Sequence, residues 1–100
     1  MTITHIVLWK LNGETEEQRA AQFEGIQATL EALDGVVPSL RSLSVRRNEA
    51  YADANHDIAL LAEFDDVAGL EAYQVHPAHV EAAGYVRERV HSRAAADFTL

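Results

Sequence analysis

The chain contains no cysteine. That excludes disulfides, thiolate metal sites and a cysteine nucleophile, and it fits a cytoplasmic protein. Proline occurs only 2 times and glycine 5 times in 100 residues, so no Pro- or Gly-rich linker divides the sequence, and no repeat or low-complexity tract interrupts it. Positive charge is scarce. Eight Lys and Arg stand against 16 Asp and Glu, for a net charge of −8. A nucleic-acid backbone or an anionic membrane surface is therefore not an expected partner, because both select for clustered cations. The one dense basic group, Arg41, Arg46 and Arg47, is too small to reverse that inference, and reads as solvated charge on a strand edge. No apolar run is long enough to cross a bilayer. The start lacks a basic region followed by a long apolar stretch, so no signal peptide is expected. Glycine-rich phosphate loops and serine or threonine nucleophile arrangements are also missing.

What is present is a core. Apolar residues make up 48% of the chain, enough for one domain spanning residues 1–100. Thr2 to Leu11 (TITHIVLWKL) is rich in β-branched and large apolar residues on alternate positions, with His5 inside the apolar series. It predicts a strand covered on both faces. Thr15 and Gln18 form a capping box before a helix predicted over 16–34. Phe23, Ile26, Leu30 and Leu33 are its stripe, Gly35 its C-terminal cap, and Pro38 prevents continuation. Glu14, Glu16 and Glu17 belong to this helix start, where the dipole favours anions. Leu40 to Arg47 reads as a second strand and His56 to Phe64 (HDIALLAEF) as a third, joined by a polar loop over 48–55. Asp65 or Asp66 caps the next helix, with Val67, Leu70 and Tyr73 inward. Pro77 opens a further helix, where its missing N–H costs nothing, and Val80, Ala83 and Val86 or Val90 continue an apolar stripe. Arg93 to Leu100 reads as the last strand, with Ala94, Ala96, Phe98 and Leu100 on one face.

The order is β-α-β-β-α-α-β. With right-handed crossovers it gives an α+β, ferredoxin-like domain with a four-stranded antiparallel sheet. Helices can cover only one side of that sheet, yet the first and third strands carry apolar residues on both. A second copy of the chain is the simplest cover for the other side, so a homodimer is expected, its two sheets packed into a shared barrel.

THIVLWKL, HDIALLAEF, LEAYQVHPAHV and the closing ADF together resemble the stress-responsive dimeric α/β-barrel (Dabb) family over nearly the whole length. The resemblance implies a ferredoxin-like protomer, a dimeric barrel and a cavity between helices and sheet. One branch of the family, the plant polyketide cyclases of the olivetolic acid type, closes linear polyketides by aldol condensation without a metal or organic cofactor. By resemblance to that branch, the catalytic residues here are His79 from the HPAHV motif, Tyr73 on the preceding helix, and His5 on the first strand. Where the cyclases carry a further pocket tyrosine on the first helix, this chain has Ile26.

These residues suit acid–base chemistry on a carbonyl compound. A histidine in the first turn of a helix tends to stay neutral, and a neutral imidazole accepts a proton from carbon beside a carbonyl. A tyrosine hydroxyl stabilises the oxygen as charge builds there. Such a protein binds a small apolar or keto ligand, and if an enzyme it is a cofactor-free cyclase, aldolase or isomerase. The alternative is a non-enzymatic stress or interaction protein whose assembled barrel is the functional unit. In that case His79 bonds a carbonyl on the neighbouring strand and Tyr73 is core. His76 is expected to bond backbone at the helix junction. A metal set from His76, His79 and Glu81 or His5 is disfavoured, because Pro77 turns the chain between the two histidines.

Overall fold

In the computed structural model, which describes residues 2–100, β1 (Ile3–Leu11) is a central strand. It is followed by α1 (Glu16–Glu31), β2 (Ser42–Arg47), β3 (Ile58–Phe64), α2 (Val67–Val75), α3 (Pro77–Arg87) and β4 (Val90–Thr99). The strands form one antiparallel sheet in the order β2-β3-β1-β4. This is the ferredoxin-like arrangement expected from the sequence. Because side chains alternate along a strand, β1 divides its residues between two sides. His5, Val7, Trp9 and Leu11 are buried under the helices, while Ile6 and Leu8 are only half-buried on the other side. The register sets His5 opposite Ala62 of β3 and Asp97 of β4.

The helices start where local chemistry dictates. Thr15 Oγ1 accepts from the Gln18 amide at 3.1 Å, and Gln18 Oε1 accepts from the Thr15 amide at 3.3 Å. Asp66 Oδ1 accepts from the Gly69 amide at 2.8 Å and so caps α2. Pro77 is the first residue of α3, where no helical N–H is required of it. Inward from α1 come Ile26, Leu30 and, just past its end, Leu33, all buried against Val45, Leu60 and Phe64.

Several boundaries and faces depart from expectation. α1 ends at Glu31 and not at Asp34, because the chain continues in turns bonded back to Leu30 and Leu33. Gly35 (φ +87°) serves that turn and not the helix cap itself, which is the backbone region that favours glycine. β4 begins at Val90, three residues early, since an irregularity between Lys10 and Leu11 lets Leu11 pair with Val90. Val67 is not inward: it is 54% exposed. Val80 is 57% exposed because it stands, with Ala83 and Val86, on the wall of an open cavity and not in closed core. Pro77 starts a helix with its own phase, so the stripe of α2 does not run on into α3. The inner face of α3 is carried by Ala82 and Val86, with Ala78 packed beside them. The arginines near edge strand β2 are paired and not merely solvated: Arg41 with Asp65 at 2.7 Å, Arg46 with Glu31 at 3.4 Å and Arg47 with Glu16 at 3.0 Å.

α1 and α3 approach closely at Gly25, where an added Cβ would fall on the Tyr85 hydroxyl. That ring is pinned by the Arg89 guanidinium, 3.5 Å from its centroid. Helix propensity alone gives Gly25→Ala a gain of about 1 kcal/mol. We expect the opposite sign, a loss of about 1–2 kcal/mol from overpacking, read as a lower urea midpoint. A raised midpoint would show that Tyr85 yields freely.

The other side of the sheet carries Ile6, Leu8, Leu61, Ala94, Ala96 and Phe98, and among the described residues no helix lies over it. Leu61 and Phe98 are 46% and 37% exposed.

Candidate functional site

Between α2, α3 and the inner side of β1 and β4 lies a cavity of about 610 Å³, open to solvent. Volumes of ~300–1,000 Å³ with apolar walls are usual for small-molecule sites. Its floor is His5, Val7 and Trp9 of β1; Tyr73 comes from α2 and His79 from the first turn of α3. All three expected site residues therefore meet in one cavity. The Tyr73 and His79 ring centroids are 4.3 Å apart, and the His5 and Tyr73 centroids 6.3 Å. The α2–α3 bend at His76 and Pro77 brings the first pair together across six positions of sequence.

Each side chain has a defined hydrogen-bonding state. Tyr73 is buried, and burial pushes its pKa up to about 12, so the phenol keeps its proton and is a donor. It lies against Phe64, with ring centroids 5.0 Å apart. His79 donates from Nδ1 to the carbonyl of Gln74 at 3.1 Å, near the end of α2; this carbonyl belongs to a helix and not to the neighbouring strand, as the alternative had supposed. The bond fixes the tautomer and leaves a lone pair on Nε2. Burial is the main cause that lowers the His79 pKa. The Gln74 bond opposes it, and the nearby charges of His5, Arg93 and His76 act in the same direction as burial. The imidazole is thus neutral near pH 7, chiefly through desolvation and not through the helix N-terminus.

Asp97 is the residue that sequence reasoning passed over. Its carboxylate accepts a hydrogen bond from His5 Nδ1, which directs His5 Nε2 away from the carboxylate. A signal existed: with Ala96 and Phe98 on the open side, Asp97 had to share a side with His5. No bond partner is found for Tyr73 Oη, His5 Nε2 or His79 Nε2 among the described residues, and no polar side-chain atom is sealed away unbonded there. These three atoms therefore reach the cavity.

The remaining candidates fall outside it. His76 caps α3, its Nδ1 accepting from the Ala78 amide at 3.0 Å. Ile26 is core beneath α1 and does not line the cavity. Among the described residues no three His, Asp or Glu side chains are grouped to hold a metal ion, and no helix is long and apolar enough to cross a membrane.

An antiparallel ferredoxin-like sheet, one covered side and a histidine–tyrosine cavity define a class of small α+β proteins. Within that class the chain belongs to the Stress responsive A/B Barrel Domain (Dabb) family, which it matches over residues 3–100. No sequence among curated proteins matches it. Among solved structures it is similar to a dimeric, ferredoxin-like protein of unknown function from Bacteroides fragilis, at 30% identity and TM-score 0.88, covering 99% of this chain and 96% of that one. It shares the fold of the hydroxynitrile lyase of Passiflora edulis, with 17% identity, TM-score 0.81 and coverage of 97% and 91%. It also shares the fold of SnoaB, a cofactor-independent oxygenase of Streptomyces nogalater, with 17% identity, TM-score 0.77 and coverage of 99% and 92%. One fold thus carries unlike chemistries, and the site must decide.

Proposed function

We propose that this chain acts as a homodimeric α/β barrel that binds a small, largely apolar carbonyl compound beside His79 and performs cofactor-free acid–base chemistry on it. His79 Nε2 takes a proton from the carbon next to the carbonyl. The Tyr73 hydroxyl donates to the carbonyl oxygen as it becomes an enolate, and His5, held by Asp97, orients the substrate. The observation that carries the reading is the pair formed by a neutral imidazole with a free lone pair and a protonated phenol, both lining the same cavity. The enolate is the shared intermediate of aldol, cyclase and isomerase reactions, so the reading fixes the first step and leaves the second to the substrate. The dimeric relatives and the uncovered apolar side of the sheet support the assembly.

The test needs no knowledge of the natural substrate. With 2-decanone in D₂O, the protein is expected to exchange the α-protons faster than buffer, followed by proton NMR. Only the neutral imidazole is active, so the rate falls as pH drops through the His79 pKa. That pKa is lowered from 6.5, which puts the half-maximal rate below pH 6.5. Exchange at the buffer rate at every pH would favour an assembled barrel without turnover.

A further inference from the structure

The distribution of cations around the cavity bears on what enters it. The chain has 8 Lys and Arg. Six are held by protein groups: Lys10 by the Asn55 carbonyl, Arg19 by that of Gly13, Arg89 by that of Tyr85, and Arg41, Arg46 and Arg47 by carboxylates. The other two, Arg87 and Arg93, have neither an ion pair nor a hydrogen bond among the described residues. Both line the cavity. Arg87 ends α3, where a cation suits the helix dipole, and Arg93 stands opposite Trp9 on the helix side of edge strand β4; both are exposed at the cavity mouth. Arg93 lines the same cavity as the acid–base pair, His79 and Tyr73. The reverse distribution is equally uneven: 16 acidic residues populate the chain, and none lines this cavity.

We infer that the ligand is an amphipathic carboxylate, its apolar body against Val7, Trp9 and Val86 and its carboxylate at Arg87 and Arg93. The inference rests on the cavity reading above and narrows it to an apolar keto acid. A guanidinium presents paired donors that match the two oxygens of a carboxylate. A protein of net charge −8 repels anions at long range, so a local reserve of unpaired guanidinium groups is what such a ligand requires. With the acid end held at the β4 side of the cavity, a carbonyl further along the chain comes within reach of Tyr73 and His79.

The probes are decanoate and its neutral isostere decanamide, titrated into the full chain by calorimetry. Decanoate is expected to bind about fivefold more tightly, since charge pairs at exposed guanidinium groups are weak. In the double variant Arg87→Gln, Arg93→Gln that preference disappears while decanamide affinity and dimer mass stay unchanged. Equal binding of the two probes to the parent, or a preference that survives in the variant, overturns the inference and leaves the cavity reading intact. Loss of the dimer in the variant also overturns it, because the arginines would then serve acids of a second copy. If neither probe binds, the cavity reading falls as well.

Discussion

Replacing His79 with alanine is expected to slow α-proton exchange by about a hundredfold or more, the usual contribution of a positioned general base, with no change in thermal midpoint beyond a degree or two. The imidazole makes one hydrogen bond to protein, from Nδ1 to Gln74, and that carbonyl lies near an exposed helix end, where water replaces the lost donor. Function and stability therefore separate at this position. Tyr73→Phe is the companion measurement. It removes the donor to the developing oxyanion, for which a loss of about 10²-fold is typical. It also keeps the ring against Phe64 and His79. If His79→Ala exchanges protons as fast as the parent, the proposed base is wrong. If both variants lose activity along with their near-ultraviolet circular dichroism, the loss is structural.

The second large effect concerns assembly. Ile6→Glu is expected to convert a dimer into a folded monomer at micromolar concentration, as seen by light scattering after gel filtration. Ile6 sits mid-strand on the open side, between Leu61 of β3 and Ala96 of β4. A carboxylate there is buried without a partner when two sheets meet, and the two-fold axis brings in a second one. Several kcal/mol per desolvated charge weakens the dimer by roughly a thousandfold or more. The monomer survives because the core belongs to the other side of β1, at Val7, Trp9 and Leu11. A parent chain that is already monomeric would contradict the proposed assembly.

The element order was legible because each element announces itself locally: β-branched residues in β1, a capping box before α1, an aspartate before α2, and a proline at the first position of α3. Tyr73, His79 and His5 were legible only through a family resemblance, since nothing in their spacing requires them to meet. The missed features share one cause. Register between strands is not written in either strand alone: alternation puts Asp97 on the side of His5 but does not set the two opposite each other, and it does not reveal the early start of β4 at Val90. The stripe Val80, Ala83 and Val86 of α3 does face the cavity, but the row Ala78, Ala82 and Val86 that closes the core beside it is not legible, because small residues signal poorly even when they are the ones buried.

The central strand is shared by two tasks. His5, Val7 and Trp9 of β1 floor the cavity, and its even-numbered residues face the side proposed to meet a second copy. Inserting or deleting a single residue between Ile3 and Trp9 would exchange the duties of every side chain beyond the change, putting isoleucine and leucine on the cavity floor and histidine or tryptophan outward. Change in the shape of the cavity is therefore confined to substitutions that preserve strand length, and the larger freedom to vary lies in α2, α3 and the start of β4, which form the cavity from one side only.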